Sequence, residues 1–219
     1  MYDFLNNKTV ALVGPAASLK GQGQGEYIDS HDFVVRINYA KIQSVMDSGS
    51  RTDMIYYDGS YHDYSRCSPK ILVCSYPETE WFFESRCKSN VEKFKYKYEH
   101  YIVDSNLYNS LKLSLDSKLK VRPNSGTIAI VDLLNSNLNR LYITGIDFYR
   151  SSYLNTHPDY GGKHLREIKS IFATGDNGDY HDTEKQFDYF KNELIKDKRV
   201  EVDKFLEKIL LIQNKEGKC

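Results

Sequence analysis

A short apolar run that stops at a glycine is the feature that most constrains how this chain folds. Thr9 to Val13 (TVALV) is rich in β-branched residues, and Gly14 follows it directly. Such a run is typical of a parallel strand that is buried on both faces and needs helices on either side of its sheet. The sequence therefore predicts an α/β fold whose first strand ends in the turn Gly14-Pro15-Ala16-Ala17-Ser18.

Three further apolar runs repeat this pattern, and each ends in polar or Gly-containing residues. They are Phe33 to Ile37, Met54 to Tyr57 and Ile71 to Ser75. Open α/β sheets bind their ligands outside the carboxyl ends of the strands. We therefore predict a single doubly wound, Rossmann-like domain over residues 1–219, with a mostly parallel sheet and its ligand site at these strand ends.

The rest of the chain predicts helices, one more strand and a long loop. The helices are Glu78 to Tyr98, Asn106 to Leu119, Ser125 to Asn135, Thr183 to Lys196 and Phe205 to Ile212, and the strand is Leu141 to Thr144. Residues 150–180 are rich in Gly, Asp, His and Tyr and have weak periodicity. That composition predicts a flexible lid or active-site loop.

Composition excludes several classes of function. Lys plus Arg and Asp plus Glu number 30 each, so no overall field attracts nucleic acid or an anionic membrane. The four cysteines form neither a CxxC pair nor a zinc motif, which indicates free thiols in a reducing compartment. The amino terminus MYDFLNNKT is polar, and no stretch reaches about 18 apolar residues. We expect no signal peptide, no transmembrane segment and a cytoplasmic location.

The glycine turn after the first strand does not have the pattern of a dinucleotide site. Gly-Pro-Ala-Ala-Ser replaces GxGxxG, and the second strand ends in Arg36-Ile37-Asn38 instead of an acidic residue for a ribose. A Walker lysine motif is also absent. NAD and a P-loop nucleotide are therefore not expected.

Two separated blocks of the sequence resemble sialyltransferases. Val10 to Asn38 (VALVGPAASLKGQGQGEYIDSHDFVVRIN) is similar to the large sialylmotif of glycosyltransferase family 29, and Gly49-Ser50-Arg51-Thr52 extends the likeness. Arg122 to Tyr149 (RPNSGTIAIVDLLNSNLNRLYITGIDFY) resembles the small sialylmotif of that family and the matching segment of the bacterial family 42 enzymes. The resemblance implies a glycosyltransferase that moves sialic acid from CMP-sialic acid to a hydroxyl of a glycan acceptor.

The resemblance also implies which residues hold the CMP part of the donor. Asn38 contacts CMP, and Asn124, Ser125 and Gly126 bind the nucleotide at a helix start. Asp58 stands where family 42 has Asn. Pro15 stands where both families place Asn after Gly14, so the resemblance leaves Ala16, Ala17 and Ser18 to hold the phosphate region through backbone N–H groups and a hydroxyl. Arg122 matches an arginine of the bacterial family and pairs with a carboxylate or phosphate, or forms a structural ion pair.

Catalytic roles follow from the same resemblance. His181, in the sequence Tyr180-His181-Asp182-Thr183-Glu184-Lys185-Gln186, matches the catalytic histidine of both families and acts as general base. Tyr149 and Tyr153 match the tyrosine pair directed at the departing phosphate. Gln186 stands where family 29 usually has Glu. His164, which competes with His157, matches the second histidine of the family.

The implied reaction inverts the anomeric centre and needs no cofactor beyond the donor. The sequence has no Asp-x-Asp motif to carry a divalent ion, so we expect no metal. Three alternatives remain open: a transferase for another CMP-activated acidic sugar such as Kdo, a hydrolase of CMP-sugars, and a catalytically silent CMP-binding module. A nucleic-acid partner is not expected, and an oligomer is possible.

Overall fold

The described residues of this chain form one seven-stranded, all-parallel sheet. The structure is a computed structural model that describes residues 2–38, 41–60, 63–65, 67–118, 121–151 and 181–216. The strands are β1 (Thr9–Val13), β2 (Phe33–Ile37), β3 (Met54–Tyr57), β4 (Ile71–Cys74), β5 (Glu99–Ile102), β6 (Arg140–Thr144) and β7 (Val200–Val202). Every pairing between neighbouring strands is parallel, which confirms the predicted α/β fold.

Helices connect these strands on both sides of the sheet. They are α1 (Gly25–Asp29), α2 (Val45–Ser48), α3 (Lys88–Lys95), α4 (Ser105–Leu115), α5 (Ser125–Leu134), α6 (Thr183–Asn192) and α7 (Lys204–Glu216). A π-helical turn (Phe83–Cys87) leads into α3, and a short 3₁₀ helix (Leu194–Lys196) follows α6. No helix among the described residues combines the length and the apolarity that crossing a bilayer requires.

The strand order is β5-β4-β3-β2-β1-β6-β7, so the chain winds outward from β1 to β5 and then crosses back to β6 on the other side of β1. The order of the strands therefore reverses between β1 and β6. In open α/β sheets the crevice at such a switch point, outside the carboxyl ends of the strands, binds the ligand.

Alternation along β1 divides the core between the two faces of the sheet. Val10 and Leu12 belong to the larger hydrophobic cluster, while Ala11 and Val13 belong to the smaller one. This period of two is the geometry of a strand with helices on both faces. Helix α5 packs against β2 and β3, and eight of its ten residues are buried.

Several predicted bounds need correction. The predicted helix Glu78 to Tyr98 begins only at Trp81, after a turn in which the Glu80 N–H donates to the carbonyl of Pro77. The helix predicted over Asn106 to Leu119 ends at Leu115, and α6 ends at Asn192. The edge strands β5 and β7 were not predicted. The predicted lid, residues 150–180, lies outside the described residues apart from residues 150 and 151.

Candidate active site

The loops that follow β1 and β6 interlock at the switch point. The Gly14 N–H donates to the carbonyl of Thr144 at 2.8 Å, and the Ala16 N–H donates to that of Gly145 at 3.0 Å. A side chain on Gly14 would collide with the Gly145 carbonyl oxygen, and one on Gly145, whose φ is +65°, would lie 2.7 Å from the Gly14 carbonyl oxygen. No residue with a side chain therefore fits at Gly14 or Gly145, where the two loops cross.

Asp203, directly before α7, holds the loop after β6 in place through hydrogen bonds. Its Oδ2 accepts hydrogen bonds from the hydroxyl of Thr144 at 2.7 Å and from the N–H of Gly145 at 3.2 Å, and its Oδ1 caps α7 through the N–H of Leu206. Asp203 was not predicted from the sequence. Its one local signal is an Asp directly before an amphipathic helix, which indicates a cap but not a contact 58 residues away.

The turn after Gly14 differs from the geometry expected of it. Pro15 is half-buried and Ala16 is buried. The Ala16 N–H is bonded to Gly145, and the Ser18 N–H donates to Ser151 Oγ at 3.2 Å. Two of the expected phosphate donors, the N–H groups of Ala16 and Ser18, thus donate within the chain, and the role of Ala16, Ala17 and Ser18 in holding a phosphate stays a prediction.

Asn38 lies directly after β2 with a polar atom left over. Its backbone is left-handed, with φ +53°, and its N–H donates to the carbonyl of Tyr56 at 2.7 Å. Its side-chain Oδ1 is buried and has no hydrogen-bond partner in the described part of the chain. Buried acceptors in native proteins are normally satisfied, so an orphan acceptor at a strand's carboxyl end indicates a ligand contact.

Asp58, directly after β3, lies in the loop next to Asn38. Its Oδ1 accepts the N–H of Ser60 at 3.0 Å, so its side chain shapes its own turn. Gly59 follows with φ +84°, where a Cβ would collide with Cys87. Burial lowers the pKa of His181, and the negative charge of Asp58 offsets a small part of that decrease.

The amino end of α5 is capped and anchored. Asn124 Oδ1 accepts the N–H of Thr127 at 2.8 Å, and Ser125 and Gly126 are buried. The N–H groups of a first helical turn have no partner within the helix, so those of Ser125 and Gly126 face the region before it. Gln186 is fully buried, and its Oε1 accepts both the Asn124 N–H at 2.9 Å and the Thr127 hydroxyl at 2.8 Å.

A hydrogen bond to the backbone of Arg122 determines the tautomer of His181. Its Nδ1 lies 2.7 Å from the carbonyl oxygen of Arg122. A carbonyl only accepts, so Nδ1 carries the proton and the Nε2 lone pair is the basic site. Burial, followed by the positive charge of Arg122, lowers the pKa of His181 to about 4. The ring is therefore neutral at pH 7 and able to accept a proton.

Arg122 stacks on aromatic rings, and no carboxylate in the part of the chain that the structure describes forms an ion pair with it. Its guanidinium carbon lies 4.7 Å from the centroid of Phe82 and 5.8 Å from that of Tyr76. Its Nε is buried and has no hydrogen-bond partner within the described ranges. Arg122 thus has two features: its backbone carbonyl holds His181, and its cationic side chain, stacked on aromatic rings, keeps an unpaired Nε donor within the described residues.

Tyr149 lies in a turn with two consecutive left-handed residues, Phe148 (φ +51°) and Tyr149 (φ +62°). Bulky residues rarely adopt this conformation, and neighbouring structure must enforce it. The Phe148 ring packs against Phe187 and Phe190 of α6 at centroid distances of 5.5 and 5.1 Å. The turn after β6 is thereby fixed to the helix that follows His181.

Tyr153, His157 and His164 lie outside the described residues. No cluster of three or more His, Cys, Asp or Glu side chains that could hold a metal occurs among the residues described.

The comparisons with known proteins agree with the motifs. The sequence profile described as glycosyltransferase family 29 (sialyltransferase) matches residues 5–130, more than half of the chain. The profile therefore covers the first block and the first six residues of α5, but not Tyr149 or His181. A comparison with curated protein sequences gives no match.

Solved sialyltransferase structures share the fold. A mammalian sialyltransferase in complex with Gal-beta-1-3GalNAc-ortho-nitrophenol is 17% identical with a TM-score of 0.59, over 90% of this chain and 70% of that one. CstII from Campylobacter jejuni, in complex with the substrate analogue CMP-3FNeuAc, is 16% identical with a TM-score of 0.54, over 89% and 81%. The alpha-2,3-sialyltransferase Cst-I from the same organism is 18% identical with a TM-score of 0.57, over 92% and 77%.

The sequence profile, the all-parallel sheet and the polar groups gathered at its switch point lead to one assignment: this chain belongs to glycosyltransferase family 29, the sialyltransferases.

Proposed function

We propose that this chain transfers sialic acid from CMP-sialic acid to a hydroxyl of a glycan acceptor, with His181 as general base. The observation that carries the proposal is the hydrogen bond from His181 Nδ1 to the Arg122 carbonyl, which leaves Nε2 basic at neutral pH. Family membership supports the reaction class. CstII, which shares the fold, has been solved with the substrate analogue CMP-3FNeuAc and with CMP.

The proposed step is a direct displacement. Nε2 of His181 takes the proton of the acceptor hydroxyl as its oxygen bonds to the anomeric carbon. The bond from that carbon to the phosphate oxygen breaks on the opposite face, and its electron pair leaves with CMP. One bond forms as one breaks, so the anomeric configuration inverts.

Charge on the departing phosphate needs stabilisation, and the chain offers donors for it. We assign this role to the phenols of Tyr149 and Tyr153, with Arg122 as the nearby cation. Arg122 has a buried Nε to offer, and the turn that carries Tyr149 is fixed to α6. These donors take the place that a divalent ion has in other transferases, so we propose a metal-independent reaction.

Binding of CMP is assigned to three strand-end segments. The orphan Oδ1 of Asn38 and the start of α5 at Ser125 and Gly126 supply polar groups for the nucleotide. The Gly14 turn and Asp58 complete the proposed pocket. Residues 150–180, with His164, are proposed as its lid within one domain that spans the chain.

The test is CMP binding and turnover of purified protein in EDTA. Calorimetry should show CMP binding, and CMP release from CMP-sialic acid should depend on an acceptor glycan. His181→Asn is the informative variant, because Asn can still donate to the Arg122 carbonyl but has no basic nitrogen. We expect it to keep CMP affinity and lose about 10²- to 10⁴-fold in kcat. Unchanged turnover in His181→Asn would exclude His181 as the base.

One observation favours a second candidate, a silent CMP-binding module. The N–H groups of Ala16 and Ser18 donate within the chain, and Pro15 offers no side-chain amide there. Such a module would bind CMP equally well as wild type and as His181→Asn, and would release no CMP from the donor. A transferase for another CMP-activated acidic sugar, such as Kdo, would instead turn over with its own donor, so a panel of CMP-sugars separates these cases.

A further inference from the structure

The single tryptophan of the chain lies at the catalytic edge of the sheet with half of its surface open. Trp81 is 50% exposed and follows the loop that leaves the carboxyl end of β4. The most exposed aromatic residue in the described structure, Tyr96 at 94%, follows α3 at the opposite end of the sheet, shortly before β5 begins. An open indole is unusual for a folded protein, because burial of a side chain of this size is strongly favourable.

A short series of contacts connects Trp81 to the proposed base. Its ring packs against Phe82 at a centroid distance of 5.6 Å. The guanidinium carbon of Arg122 lies 4.7 Å from the Phe82 centroid, and the Arg122 carbonyl accepts from His181 Nδ1 at 2.7 Å. Phe82 and Arg122 therefore connect the indole to His181, through the guanidinium of Arg122 at one end of that residue and its carbonyl at the other.

The support beneath Trp81 is rigid. Phe82 is buried, lies 4.9 Å from the ring of Tyr76, and has the guanidinium carbon of Arg86 5.0 Å from its centroid. The Trp81 and Phe82 rings are nearly perpendicular, at 83°. Half of the Trp81 surface stays exposed beside this contact, and the exposed Arg86 lies against the same Phe82 ring.

We propose that Trp81 is the stacking platform for a pyranose ring of the acceptor glycan, an inference that rests on the proposed transferase. One side of a pyranose ring presents C–H groups with partial positive charge, and these pack on the negative face of an indole. The Arg86 guanidinium supplies N–H donors for ring hydroxyls. Phe82, against which Trp81 packs, and His181 both contact Arg122, so the proposed acceptor sugar and the proposed base share one part of the site.

Because the chain has one tryptophan, its fluorescence reports this contact without any turnover. Protein in saturating CMP is titrated with lactose, methyl β-galactoside and maltose, and with sorbitol as an open-chain control. We expect a saturable change in Trp81 emission with at least one pyranoside and none with sorbitol. If no pyranoside changes the emission, or if calorimetry shows binding with unchanged emission, the platform is wrong.

Kinetic variants give the second measurement. Trp81→Ala should raise the acceptor KM about tenfold or more, which corresponds to about 1.4 kcal/mol, and should leave CMP affinity unchanged. Trp81→Phe should retain most of the acceptor binding. The matched control is Tyr96→Ala, which removes an exposed aromatic side chain from the opposite end and should behave as wild type.

The two measurements separate this inference from the proposed function. Transfer with a wild-type acceptor KM in Trp81→Ala would overturn the platform and leave the transferase intact. Saturable emission changes without any transfer would support the platform and count against the transferase.

Discussion

The amide of Gln186 joins two helix starts that lie about 60 residues apart in the sequence. Its Oε1 accepts from the N–H of Asn124 at 2.9 Å and from the hydroxyl of Thr127 at 2.8 Å, and its Nε2 donates to the carbonyl of Asp182 at 3.2 Å. One side chain thus fixes the start of α5, the proposed nucleotide site, to the segment that follows His181.

Gln186→Glu should impair the enzyme at neutral pH, even though Glu is the usual residue of the family at this place. A carboxylate can accept both bonds from α5, but it cannot donate to the Asp182 carbonyl, and burial disfavours its charge. We expect a loss of about 1–3 kcal/mol in unfolding free energy at pH 7, measured by urea denaturation.

Acidification should rescue this variant in part. The protonated Glu is a donor again, so the gap in kcat/KM between Gln186→Glu and wild type should narrow as pH falls. Gln186→Ala is the control. It has no titratable group at residue 186, so its loss in kcat/KM should not narrow as the pH falls. A deficit of Gln186→Glu that is constant over pH would show that the donor to Asp182 does not matter.

The low pKa of His181 predicts an unusual pH profile. With a pKa of about 4, the free enzyme should keep its base unprotonated through pH 6, so kcat/KM should decline toward pH 4 instead of near 6.5. A rate that halves near pH 6.5 would show that its surroundings do not lower the pKa of His181.

The same pKa has a consequence for stability. An unfolded chain protonates this histidine below about pH 6.5, whereas the folded protein does so only below about pH 4. Between these values the unfolded state binds more protons, so acidification destabilises wild type. His181→Asn lacks this contribution, and its unfolding free energy should decline less than that of wild type from pH 6.5 to 4 in parallel urea titrations.

Asp58→Asn should strengthen CMP binding. Asn keeps an oxygen to accept the Ser60 N–H, but it removes a negative charge from the proposed phosphate pocket. We expect the Kd for CMP to decrease a few-fold at low salt, with a smaller effect at high salt because charge interactions are screened. Equal affinities of the two proteins at low salt would place Asp58 away from the phosphate.

Gly14→Ala should be severely destabilising, since the new Cβ meets the Gly145 carbonyl oxygen and lies 2.5 Å from Ile146 Cγ1. We expect a loss of about 3 kcal/mol or more, from overpacking that backbone atoms cannot relieve. Gly126→Ala is the matched control. Its Cβ lies 3.2 Å from Asn124 Oδ1, a side-chain atom with room to adjust. The melting temperature of Gly14→Ala should be clearly lower than that of Gly126→Ala. Equal melting temperatures would show that the Gly145 carbonyl does not exclude a side chain at residue 14.

The sequence predicted the central strands well because each is buried on both faces and its apolar run is bounded by turn residues. β1, β2 and β3 have the predicted bounds. The edge strands β5 (EHYI) and β7 (VEV) escaped prediction because they are short, carry charges and are only partly buried. Edge strands commonly have such features, and these features hide their periodicity.

Residues of the candidate site were predictable only where a motif carries them. Asn38, Arg122 and His181 come from the sialylmotif resemblance, and the structure brings them to one edge of the sheet. Gln186 and Asp203 act through contacts that span 58 residues or more, and no local pattern encodes these. The engagement of the Ala16 and Ser18 N–H groups likewise depends on where the β6 loop lies.

The crossing of Gly14 and Gly145 limits how a chain of this fold can diverge. Each glycine excludes a side chain on the other because each lies against the other's carbonyl oxygen. A substitution at either position has no compensating partner, since the opposing residue is already the smallest available. Neither glycine can therefore be replaced first, and any descendant chain that retains the crossing retains both glycines.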